Sequence, residues 1–230
     1  MNQDLDSRIL NYGECFAMKF TKQGKAIYHL QATTGYVVPG TENSFSINVR
    51  KSSSKKGDEK QHTVTIKREG AKLYAEPENL EIDKNDVVLW HADNPEVHNF
   101  VISGDSGQIQ FDSSRMEQYS VYTHAFGLEG EYHWQDAYGS KIGGVIKVKS
   151  PRCLDKKSQT KWLRSLDKQN LITISGNKVE PAELQIVTGQ TVMWAIEKSK
   201  GISITDSRLL TSKECGAEKP RKKPIKKRKK

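Results

Sequence analysis

The chain has 230 residues, 35% of them apolar and 28% charged, a composition that supports one large domain or two small ones around a modest core and excludes wholesale disorder. The formal charge of +9 is concentrated at one end: residues 219–230 hold nine basic side chains and no acidic ones, and taking those nine from the 37 Lys and Arg leaves 28, equal to the 28 Asp and Glu. The body is formally neutral, so composition gives no argument for a basic nucleic-acid-binding surface on it.

The N-terminal MNQDLDSRILNYGECF has no cationic start followed by an apolar stretch of signal-peptide length, and no run of about 18 apolar residues occurs anywhere. The expectation is a chain without signal peptide or membrane span, nuclear or cytoplasmic in location. Cys15, Cys153 and Cys215 form no CxxC and are odd in number, which argues against a disulfide framework or a zinc knuckle. There is no N-x-S/T sequon, phosphate loop, G-x-S-x-G or H-E-x-x-H.

Internal repetition is the strongest pattern. EPENLEIDKNDVVLW (76–90) returns as EPAELQIVTGQTVMW (180–194) at an offset of 104, each preceded by an alternating strand, TVTIK and LITIS. A second element occurs three times, as DSRILNYGEC from Asp6, DSSRMEQY from Asp112 and DSRLLTSKEC from Asp206. Its first two copies continue in parallel, through Phe20 and Gly24 in one and Phe126 and Gly130 in the other. The chain therefore reads as half a unit, a whole unit and half a unit.

The predicted boundaries follow. Residues 1–50 are the C-terminal half of a unit, 51–61 (KSSSKKGDEKQ) a linker, and 62–150 a complete unit. Residues 151–169 are a second linker with one short helix carrying Trp162, Leu163 and Leu166 on a face, 170–215 an N-terminal half, and 216–230 a disordered basic tail. Within a unit, period-two apolar spacing marks short strands at Val64 and Ile66, Leu80 and Ile82, Val87 and Leu89, Phe100 and Ile102, Tyr132 and Trp134, and Ile146 and Val148. So many short strands in one unit predict an all-β sandwich or barrel.

The middle unit resembles a cupredoxin, the plastocyanin-like β-sandwich family. The resemblance lies in the Glu-Pro-x-x-Leu-x-Ile opening, the KND turn, the strand VVLW, the segment NPEVHNFVIS, FGLEGEY and the closing GGVIKV. It implies Greek-key sandwich repeats, and a type 1 copper site of two histidines, a cysteine and an axial methionine. By position, His98 matches the first histidine, Asp136 falls where the cysteine belongs, Tyr138 and Gly139 where the second histidine belongs, and Ile142 near the methionine. In the other units the matching positions hold Ile202, for His98, and Leu30, for Asp136. No cofactor is expected, with copper as the alternative. The weak metal candidates are His98, Asp136, His124 and His133, as a harder N/O site; the competing expectation is a His98–Asp136 hydrogen bond filling the vacated pocket.

Other suspicious residues have plainer readings. Trp90 and Trp194 are equivalent and read as core packing; Tyr119, Tyr122, Tyr132 and Tyr138 read as cover for the sandwich end. His124 shares a strand face with Tyr122 and Phe126. Cys15 and Cys215 recur with the repeat, and no histidine sits at a fixed short distance from both, so a catalytic thiol is not expected. In the tail, Lys219, Arg221, Lys222, Lys223, Lys226, Lys227, Arg228, Lys229 and Lys230 resemble a nuclear localisation signal read by an acidic import receptor. The same charges suit nucleic acid or another polyanion. The sequence thus points to a non-enzymatic binding or scaffold protein with a protein partner. The alternatives are a redox protein with a rebuilt copper site and a fragment of a longer multi-domain protein.

Overall fold

The computed structural model describes residues 4–32, 44–51, 57–70, 72–105, 110–151 and 155–211. The all-β expectation holds. Before the first link come β1 (Cys15–Lys19), β2 (Gly24–Ala32) and β3 (Ser44–Arg50). They are followed by β4 (Gln61–Glu69), β5 (Lys72–Glu76), β6 (Asn79–Asp83), β7 (Val87–Ala92), β8 (Phe100–Asp105) and β9 (Gln110–Asp112). The next group is β10 (Met116–Glu117), β11 (Ser120–Ala125), β12 (Gly130–Gln135) and β13 (Gly143–Lys149). After helix α1 (Lys156–Leu166) run β14 (Asn170–Ser175), β15 (Lys178–Glu180), β16 (Glu183–Val187), β17 (Thr191–Lys198), β18 (Lys200–Ile202) and β19 (Thr205–Asp206), then the short α2 (Ser207–Leu210).

An eight-stranded sheet, ordered β15-β14-β17-β11-β1-β7-β4-β5, spans the molecule. Its centre is the antiparallel pair β1–β11, where Phe16 lies opposite Tyr122, with Cys15 opposite Thr123 and Ala17 opposite Val121. Phe16 and Tyr122 are equivalent positions of the repeat, each four residues before its Phe20 or Phe126, so this pair marks a local two-fold axis. Register on the two sides agrees: Trp90 pairs with Phe16 and Val64 on one, Trp194 with Tyr122 and Ile172 on the other. Strand alternation turns Phe16, Val88, Trp90, Tyr122 and Trp194 inward and leaves Ala17 and Leu89 on the other face. Of the predicted pair Val87 and Leu89, therefore, neither is the core-facing set of β7.

Two smaller sheets cover the inward face. The first, β6-β3-β2-β8-β9, packs on the β1–β7 half: Tyr28 and Phe111 meet Trp90 with ring centroids 5.7 and 5.4 Å apart. The second, β16-β13-β12-β19, packs on the β11–β17 half, where Trp134 meets Trp194 edge to face at 6.0 Å. Each half is a sandwich, and together they bury one continuous apolar cluster.

The strand partners correct the predicted boundaries. Residues 62–150 do not close on themselves. β6 runs parallel to β3 from residues before the first link (Ile47 opposite Leu80, Val49 opposite Ile82), whereas β13 runs parallel to β16 (Ile146 opposite Leu184, Val148 opposite Ile186). The first sandwich therefore combines late strands of one sequence unit with early strands of the next, and the second repeats this one unit on. The two terminal halves do not form a separate sandwich of their own.

The N-terminal segment closes the arrangement. Leu5 and Asp6 pair with the Thr205 end of the second sandwich, as β9 pairs with β8 in the first: Asp206 N donates to Leu5 O (2.7 Å), Ser7 N to Ile204 O (2.9 Å), and Ile204 N to Ser7 Oγ (2.8 Å). The segment then crosses over, and Leu10 exchanges backbone hydrogen bonds with Phe100 of the first sandwich. Met116 makes the mirror contact with Ile202. Asp6 and Asp112 are thus structural equivalents. Asp206 is not, because it occupies the position opposite Trp134 that Gly104 occupies opposite Tyr28.

The predicted helix in the second linker forms. Asp155 caps it by accepting from Ser158 N at 2.7 Å in a capping box. Trp162 and Leu166 lie against the Gly189 turn, and Trp162 Nε1 donates to Thr188 O at 3.1 Å, while Leu163 is exposed and leaves the predicted face.

Candidate functional site

The loop that the resemblance assigns to copper leaves β12 at Asp136, and its carboxylate is occupied by the chain itself. Oδ1 accepts from Ser203 N (2.9 Å) and Tyr138 N (3.1 Å), and Oδ2 from Ser140 N (3.0 Å). Ser203 Oγ approaches Oδ1 at 3.4 Å and accepts from Ala137 N at 2.8 Å. Burial alone would push this carboxyl up; the donors from Ser203, Ser140 and Tyr138 outweigh it and hold Asp136 below the usual carboxylate range. Ile202, the position matching His98, precedes Ser203 in the chain and is apolar and buried.

His98 itself belongs to the other sandwich, in the exposed turn before β8. The expected His98–Asp136 hydrogen bond does not form, since the two residues match one site in one sequence unit but the unit is divided between two sandwiches. His133 is exposed on the outer side of β12 beside Glu131 at 3.0 Å. His124 is buried, and its ring meets Glu14 and Phe126. The four metal candidates are therefore dispersed, and among the described residues no group of three or more His, Cys, Asp and Glu is placed to hold a metal ion. The residues at the copper-like positions, a hydrogen-bonded carboxylate and an isoleucine with no ligating atom, do not fit type 1 copper.

A buried polar network sits at the seam between the sandwiches. Glu14 Oε1 accepts from Tyr122 OH at 2.5 Å and lies 2.7 Å from His124 Nδ1; Oε2 accepts from Asn11 N (2.8 Å) and Asn11 Nδ2 (3.3 Å). All four residues are buried, and burial with the adjacent Glu14 carboxylate drives the Tyr122 phenol well above its usual range. The local two-fold relates the Glu14–His124 pair to Ser120 and Met18, so only one of the two equivalent places holds ionisable side chains. Period two places His124 inward, which signals a buried partner; nothing local names Glu14, just before β1 and in another unit. The set has no exposed reacting atom and reads as a structural clasp.

A cleft of about 260 Å³ opens at the β8–β9 edge, lined by Ser103, Gly104, Asp105, Gln110, Phe111, Asp112, Arg115 and Glu117. It mixes both charge signs and falls below the size usual for small-molecule sites. Arg115 stacks over the Tyr138 ring at 5.2 Å. Of the tyrosines, Tyr122 and Tyr132 are buried while Tyr119 and Tyr138 are exposed. The basic residues from Lys219 to Lys230, with Cys153 and Cys215, lie outside the described residues. Among the described residues no helix is long and apolar enough to cross a membrane. No family model, curated protein or solved structure matches the chain.

Proposed function

We propose that the chain is a non-enzymatic binding or scaffold protein built from two copper-free, cupredoxin-like Greek-key sandwiches, with a basic tail that directs it to the nucleus or holds it on a polyanion. The observation that carries this reading is the state of the copper-like loop. Asp136 places its carboxylate on three backbone N–H groups, two from its own loop and one from Ser203, so the loop is held by hydrogen bonds and offers a metal no soft ligand. With the pocket chemistry absent, partner contact falls to sheet faces, edges and loops. The nine tail charges supply the second half of the proposal, through an import receptor or nucleic acid.

The test is metal analysis with an absorption spectrum after exposure to Cu(I), Cu(II) and Zn(II). The expected result is no stoichiometric metal. Bound copper with a thiolate charge-transfer band would make the chain a redox protein and end this reading.

A further inference from the structure

The formal neutrality of the body conceals a division of charge. Residues 141–168 hold nine Lys and Arg against two acidic residues, Asp155 and Asp167, a net of +7. The rest of residues 1–218 holds 19 basic and 26 acidic residues, a net of −7. A neutral sum therefore covers one strongly basic segment in an otherwise acidic body, and helix α1 lies within that segment.

Along α1, Lys157, Lys161, Arg164 and Lys168 follow at intervals of four, three and four residues, the spacing that lines side chains along one side of a helix. Lys168 stands on the C-terminal turn, its N–H donating to Ser165 O at 3.2 Å. All four are exposed. The opposite side of the helix is the docked one, with Trp162 and Leu166 against the Gly189 turn. Thr188 O accepts from Trp162 Nε1 and Thr188 N donates to Lys149 O, both at 3.1 Å, which holds the basic end of β13 beside the helix.

Helix stability does not account for this pattern. Lys157 with Lys161, and Arg164 with Lys168, are like charges four residues apart, a spacing that destabilises a helix. The first turn carries Lys156 and Lys157 and no acidic residue, against the helix dipole. Ion pairing does not account for it either. Strand lysines such as Lys67, Lys147 and Lys178 pair with Glu76, Glu183 and Glu180, whereas among the described residues no ion pair involves α1. Asp155 and Asp167 stand at the two caps of the helix.

We propose that this ridge is a contact surface for the phosphate backbone of a nucleic acid, a second one on the folded body beside that of the tail; the inference rests on the polyanion half of the proposed function and gives it a place in the fold. From Lys157 to Lys168 the ridge runs about 16 Å at a rise of ~1.5 Å per residue, a length of duplex that carries about nine phosphate charges. Lys and Arg on phosphates position a protein without reading bases, so the binding is sequence-independent. An anionic membrane suits the helix less, because the apolar side that an interfacial helix inserts is packed on the protein.

The experiment is titration of a fluorescently labelled duplex DNA of about 20 base pairs with the full chain, read by anisotropy over about 50–200 mM salt. Wild type is compared with three full-length variants. The ridge variant carries Lys157→Gln, Lys161→Gln, Arg164→Gln and Lys168→Gln. The tail variant has the nine basic residues of 219–230 replaced by Gln. The control carries Lys25→Gln, Lys72→Gln, Lys84→Gln and Lys178→Gln, four exposed lysines outside α1. The ridge variant is expected to melt as wild type does, to bind about 10-fold or more weakly at about 100 mM salt, and to show a salt dependence of log Kobs shallower by about 3 to 4, as the loss of four phosphate contacts requires. The control keeps the wild-type slope. Should the ridge variant fail to fold, Lys157→Gln with Lys161→Gln decides in its place, with a slope change of about 2. Weakened binding by the ridge variant with an unaffected tail variant keeps the inference and removes the tail from the function. The reverse leaves the tail reading standing and overturns the inference, as does a wild type that does not bind the duplex at the lowest salt, or a ridge variant that loses only its binding to phosphatidylserine vesicles.

Discussion

Single side chains do their clearest work at Asp136 and Glu14. Asp136 gathers N–H groups from its own loop and from Ser203. Asp136→Asn is expected to cost about 1–3 kcal/mol, the range for buried hydrogen bonds to a charged acceptor. Because the folded carboxyl is depressed, its contribution is present above the unfolded value of about 3.9 and is lost as pH falls through the lower folded value. Denaturant melts from acid to neutral pH should show wild type losing that increment on acidification and Asp136→Asn lacking it throughout. Tyr122 behaves oppositely. Its phenol is raised, so the stability it lends is complete below about pH 10, the ordinary tyrosine value, and is lost as pH rises toward the folded value. Tyr122→Phe is expected to destabilise by about 1–3 kcal/mol at neutral pH by depriving Glu14 of a donor, and to flatten the alkaline decline measured by the same melts. Period-two spacing made His124 legible as inward-facing. Glu14 was not legible, because its partners lie on a strand from the following unit.

At the scale of elements, the strands were readable from apolar alternation and the repeat from EPENLEIDKNDVVLW and its echo, but the choice of partners was not. An early half closes equally well on the late half before it or after it, and local pattern is blind to which one lies nearer in space. The polar links at 51–61 and 151–169 looked like domain boundaries, whereas the crossing between sandwiches runs through DSSRMEQY, a segment without glycine or proline. The triplet at Asp206 misled similarly: it repeats the letters of Asp6 but stands at the place of Gly104. The N-terminal segment supplies the edge of the distant second sandwich, so deleting residues 1–9 is expected to raise amide exchange at Ile204 and Asp206, which lose Ser7 and Leu5 as partners. Exchange along β3 and β6 should change much less. Equal loosening of both regions would contradict the assigned edge.

For the whole molecule, fold and chemistry have one cause. Dividing the sequence unit between two sandwiches sends His98 to one and Asp136 to the other, so two residues that the resemblance places at one site do not meet. The central claim is that β6 pairs with β3 and β13 with β16. Long-range amide and methyl NOEs on the full chain test it most directly. The account predicts contacts between Val49 and Ile82 and between Val148 and Ile186. A contact between Ile82 and Val148, which a self-contained unit from 62 to 150 would require, would contradict it.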